Sequence, residues 1–128
     1  MLSCQFRDGL AWAVVLSPAF VPCRQLLGAL RALERSTGFP KGTGLLLDAR
    51  ALRADARGHT ASELSTTAFE LGILGIGRCA LVPTPARIRQ AERFAEVAGS
   101  ESLPMAVFLE PEPAVRWLLS GKAGEPVA

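Results

Sequence analysis

Gly44-Leu45-Leu46-Leu47-Asp48 sets three apolar residues between the turn signal Gly42-Thr43-Gly44 and a carboxylate. A short apolar run without polar alternation reads as a strand buried on both faces, the kind found in the middle of a parallel sheet. Such a strand needs helices on both sides. One helical segment precedes it, running to about Ser36, and another follows from near Thr60, so a βαβα alternation is expected.

Toward the amino end, Leu2 to Arg7 and Leu10 to Leu16 flank Asp8-Gly9, a pair that favours a type I′ hairpin because both positions tolerate positive φ. In the second strand Trp12, Val14 and Leu16 point one way and Ala11, Ala13 and Val15 the other, so both faces can be covered. Ser17-Pro18 breaks the strand. Pro22 is tolerable only in a first helical turn, which predicts a helix from near Val21, with Leu26, Leu30 and Leu33 as its inner stripe and Gly38 and Pro40 as its stop.

Toward the carboxyl end, Thr60-Ala61-Ser62-Glu63 matches a capping box, and Leu64, Ala68 and Leu71 form the stripe of the helix it opens. Gly72, Gly75 and Gly77 follow a helix and lead into a strand over Arg78 to Val82, the reverse of a phosphate-binding loop. Thr84-Pro85 reads as an N-cap and first helical residue. Ile88, Ala91, Ala95 and Ala98 mark the buried face of that helix, with Phe94 beside them and Gly99 at its end. On its outer side Arg87, Arg89 and Arg93 suggest a basic patch, diluted by Glu92 and Glu96. Met105 to Leu109 is the last predicted strand. Pro111 and Pro113, with acidic neighbours suited to a helix start, open a last helix packed through Ala114, Val115, Leu118 and Leu119, with Gly121 as its stop.

The fold class is therefore α/β, a mixed five-stranded sheet with four helices in the order β-β-α-β-α-β-α-β-α. Residues 1–122 read as a single domain and 123–128 as a flexible tail. A chain of 128 residues buries roughly two thirds of its unfolded surface without help from metals or disulfides. Cys4, Cys23 and Cys79 are odd in number and contain no Cys-x-x-Cys pair, so reduced core residues are expected rather than a disulfide framework or a zinc site. A net charge of +2, with twelve arginines among fourteen basic residues spread along the chain, does not call for a nucleic-acid partner. No apolar run reaches the length of a membrane span, and the start, Met1 to Asp8, carries no secretory leader, so a cytoplasmic protein is expected.

The predicted order resembles the STAS domain, in particular its small stand-alone SpoIIAA-like group. Arg78-Cys79-Ala80-Leu81-Val82, Ala91-Glu92-Arg93-Phe94-Ala95, Val107-Phe108 and Ala114-Val115-Arg116-Trp117-Leu118 resemble that group's strand, helix, closing strand and final Ala-x-x-Trp-Leu helix. These are packing motifs. The phosphorylatable serine of the family's anti-sigma-factor antagonists, in an Asp-Ser-Ser-Gly type motif, has no counterpart in Gly58-His59-Thr60-Ala61-Ser62-Glu63, and no modification site is carried over.

The resemblance implies a non-enzymatic regulatory or protein-interaction module whose protein partner, given the arginines, is acidic. The alternative is a carrier of a small anionic or lipid ligand. Related superhelical folds include lipid-transfer domains, and Leu52, Ile73, Leu74 and Ile76 are spare apolar residues. A small enzyme using Asp48, Asp55 or His59 as acid and base is the third class, with no nucleophile, cofactor or metal motif to support it. The binding site is expected at the carboxyl end of the central strand, where open α/β sheets form their crevices, and comprises Asp48, Arg50, Arg53, Arg57, His59 and the amino end of the helix at Thr60. An unpaired hairpin edge and apolar residues near Ile73 to Ile76 further suggest a homodimer.

Overall fold

The computed structural model describes residues 1–120. Strands β1 (Leu2–Arg7) and β2 (Leu10–Val15) pair antiparallel in a register that sets Arg7 opposite Leu10. Asp8 and Gly9 between them both have positive φ, 54° and 77°, as a type I′ turn requires. Helix α1 (Cys23–Thr37) starts two residues later than the sequence suggests, because Pro22 stays extended at the N-cap. It buries Leu26, Leu27 and Leu30, and Gly38 in the left-handed conformation ends it by donating its N–H to Glu34 O at 2.7 Å.

Strand β3 (Thr43–Asp48) is the expected central strand, with Leu45 and Leu46 wholly inaccessible. Then follow α2 (Ala61–Leu74), β4 (Ile76–Val82), α3 (Ile88–Ser100), β5 (Met105–Val107) and α4 (Pro111–Ser120). The sheet order is β1-β2-β3-β4-β5. Only β1 runs antiparallel to its neighbour, so the sheet is mixed and β3 lies at its centre.

Side-chain alternation divides the interior into two layers. Ala11, Ala13, Val15, Leu45, Leu47, Cys79 and Leu81 meet α1, α2 and α3 on one face. Leu10, Leu46, Ala80 and Val82 meet Ala114 and Leu118 of α4 on the other. The helices are thus distributed three to one. Trp12 packs half-buried against this second layer, where Arg7 stacks over its ring at 4.0 Å and its Nε1–H donates to Arg7 O.

Several boundaries differ from expectation. β4 begins at Ile76 rather than Arg78, β5 stops at Val107 rather than Leu109, and Leu16 lies outside β2 and is exposed. Thr84 makes no capping hydrogen bond. Its Oγ1 is buried without a partner, and a single 3₁₀ turn over Pro85–Arg87 precedes α3, which continues past Gly99. Ile73 is exposed but Ile76 is buried, and Leu119 faces outward instead of packing. The stop at Gly121 and the tail at 123–128 lie outside the described residues.

Cys4 and Cys23 are half-buried rather than core residues, and Cys79 alone of the three is fully enclosed. Burial pushes the Cys79 thiol up to about 12, so neither thiolate nor access is available in the native state. Maleimide labelling of Cys79 should therefore require denaturant, and quantitative labelling of the native chain would contradict its position in the sheet. Among the described residues, no helix is long and apolar enough to cross a membrane.

Candidate functional site

The parallel strands β2, β3 and β4 end along one edge of the sheet, and α1, α2 and α3 begin there. Residues from the first turns of these helices and from the strand ends enclose a space. That space is a cavity of about 280 Å³. Val15, Leu47 and Leu81 form its floor, while Leu26 of α1, Leu64 of α2 and Phe94 of α3 stand around it.

Two loops meet at its rim, residues 16–22 before α1 and residues 49–60 before α2. The Arg53 N–H donates to Pro18 O at 2.9 Å. His59 Nε2 lies 2.9 Å from Val21 O, and since a carbonyl only accepts, Nε2 carries the hydrogen. The Phe20 ring sits between partners from the second loop, with the His59 ring centre 4.6 Å away and the Arg57 guanidinium 4.2 Å over its face. From the opposite side, Arg87 Nη1 donates to the carbonyls of Arg53, Ala54 and Ala56 at 3.2, 3.3 and 2.8 Å. The loop is therefore held by backbone, ring and guanidinium contacts.

The six residues expected from sequence separate into different roles. Arg57 and His59 line the cavity; Asp48, Arg50, Arg53 and Thr60 do not. Asp48 and Arg50 form a two-pronged pair, Nε to Oδ1 at 3.0 Å and Nη2 to Oδ2 at 2.8 Å, and the Arg50 N–H adds a third bond to Oδ1. Burial raises the Asp48 carboxyl, but the bonds and charge of Arg50 outweigh it and hold the group below its usual range. Arg53 pairs in the same way with Asp55, at the surface, where such a pair contributes little.

At the head of α2 the capping box forms as expected: Thr60 Oγ1 accepts from the Glu63 N–H, and the Glu63 carboxylate accepts from the Thr60 N–H at 2.7 Å. That backbone bond is the main cause of the lowered Glu63 carboxyl pKa. The box thus occupies the Thr60 and Glu63 amides at the helix end where an anionic group was expected to bind.

A pH dependence follows from Asp48. Its folded-state pKa lies below its unfolded value of about 3.9, so its contribution is complete above that value and disappears as pH falls through the folded one. Asp48→Asn should therefore flatten the acid limb of the stability profile below about pH 4. An acid limb identical to that of the parent would refute the pairing.

Several cavity residues escaped the sequence reading. Arg87 was expected on an exposed basic face with Arg89 and Arg93, yet it is only 7% exposed. Its spacing carried the signal, since Arg87 lies four residues before Ala91 and seven before Phe94, in line with the buried stripe of α3, although its charge argued for the surface. Val21, expected at the start of the first helix, lies instead in the loop before it and lines the cavity. Of the spare apolar residues considered for a carrier, Leu52 lines the cavity, whereas Ile73, Leu74 and Ile76 do not. Among the described residues, no cluster of three or more His, Cys, Asp or Glu side chains is placed to hold a metal ion.

No family model, no curated protein and no solved structure matches the chain.

Proposed function

We propose that this chain is a non-enzymatic binding module whose cargo is a small, largely apolar molecule held between α1, α2 and α3. The observation that carries this reading is the cavity at the carboxyl edge of the parallel strands. Its volume of about 280 Å³ is near the lower end of ligand sites, about 300 to 1,000 Å³, and most of its lining is apolar, with a few polar side chains among it. The location is the one open α/β sheets use for ligands. Residues considered for acid–base chemistry are not gathered around this space, since Asp48 is held by Arg50 outside it while His59 lies at its rim.

The observed strand order and the placement of four helices also support the STAS-like reading, in which such a module works through what it binds rather than by changing it. Occupancy of the cavity would then set the conformation of the 49–60 loop, which carries the charged pairs presented to solvent.

The test is titration with the neutral fluorescent probe N-phenyl-1-naphthylamine. Saturable enhancement with one site per chain is expected for the parent. It should be lost in Ala91→Phe, which fills the cavity from α3, provided circular dichroism shows the variant folded. Absence of saturable binding, or equal binding by the folded filled variant, would reject the reading.

A further inference from the structure

Arg87 is a cation in an unusual setting. It is only 7% exposed, it lines the cavity, and no acidic side chain forms an ion pair with it among the described residues. Burial of a guanidinium without a carboxylate is costly, and neutral carbonyls offset only part of that cost. All three of its protein contacts go to Nη1. Nε and Nη2, the edge that forks onto a carboxylate, have no protein acceptor among the described residues. That edge is not sealed in the core, because Thr84 Oγ1 is the buried side-chain polar atom left without a partner there.

The charged side chains of the lining have one sign. Arg57, Arg87 and Arg93 line the cavity, and no aspartate or glutamate does. Low-dielectric walls around a cluster of cations strengthen its pull on an anion. The remainder of the lining, Leu26, Leu47, Leu64, Leu81 and Phe94, suits a hydrocarbon body.

Resting on the cavity reading above, we propose that the cargo is an amphipathic carboxylate, an acyl chain of modest length whose head group engages the free edge of Arg87 while its chain lies among the apolar side chains. Arg57 and Arg93 contribute charge from the rim. The head group supplies the counter-ion that Arg87 lacks. The preferred ligand is set by the guanidinium fork, and the chain length by the volume beneath it.

The experiment is displacement of N-phenyl-1-naphthylamine at pH 7.5 by octanoate, octan-1-ol and octyl phosphate. For the parent, octanoate should displace the probe at a concentration at least about tenfold below that of octanol, although octanol is the more apolar, and added salt should narrow that gap. Arg87→Met should bring the two together while retaining the neutral probe. Because Arg87 also holds the loop, Arg87→Lys provides a second variant: it keeps the charge without the fork and should retain only part of the preference. Octanol displacing as well as octanoate from the parent overturns the proposal, as does octyl phosphate displacing better than octanoate, or an undiminished octanoate preference in either probe-binding variant. Failure of the parent to bind the neutral probe rejects the cavity reading itself, whereas probe binding without a carboxylate preference rejects only the assignment of Arg87.

Discussion

Replacing Leu46 with alanine is expected to destabilise the protein by about 2 to 5 kcal/mol, measured by urea denaturation. Leu46 is wholly inaccessible at the centre of the middle strand, opposite Trp12 on β2 and Ala80 on β4. Its side chain belongs to the smaller layer, where Ala114 and Leu118 of α4 cover it. Strands on both sides and a helix above limit how far the site can collapse, so the loss contains a cavity contribution beyond transfer of the missing atoms. Leu119→Ala is the control. That residue is 37% exposed on the same helix and should change stability far less. A loss below about 1 kcal/mol for Leu46→Ala would contradict the central placement of β3.

Gly77→Ala should produce the second large effect, a loss of about 1 to 3 kcal/mol or more, for the opposite reason. A Cβ at Gly77 would lie 2.8 Å from Gly42 O, 2.9 Å from Gly42 Cα and 3.0 Å from Gly42 C. These are backbone atoms that no side-chain rotation can move. The same junction is tied by the Gly42 N–H donating to Gly75 O at 2.7 Å, beside a register shift between Thr43 and Gly44. Relief would therefore require separating β3 from β4 where their pairing begins. Gly28→Ala offers the contrast: its Cβ meets nothing within 4 Å inside α1, and alanine's helix preference should stabilise by up to about 1 kcal/mol. Parent-like denaturation of Gly77→Ala would show that the two backbones do not approach so closely.

Most of the architecture was readable locally. Asp8-Gly9, Gly38 and the Thr60-to-Glu63 box act through backbone conformation or hydrogen bonds within a few residues, and each occurs where the sequence placed a turn or helix end. The run at Leu45, Leu46 and Leu47 likewise required cover on both faces, and the sheet supplies it. Thr84 shows where such local reading stopped. Its N-cap signal was present, but the chain formed a 3₁₀ turn first, and Arg87 at the end of that turn is buried in line with Ala91 and Phe94 of α3.

The site divides along the same line. Sequence alone determined that charged residues would cluster after β3, because polar loop composition and strand termination are local properties. Only the tertiary structure determined which charges remain without an opposite partner. Arg50 and Arg53 find carboxylates two residues away and are neutralised within their own loop. Arg87 reaches the carbonyls of residues more than thirty positions earlier, beside a cavity assembled from three helices and four strands. Burial, unlike turn formation, depends on every element that packs around a group, so the environment of that one guanidinium could not be read from its neighbours in the chain.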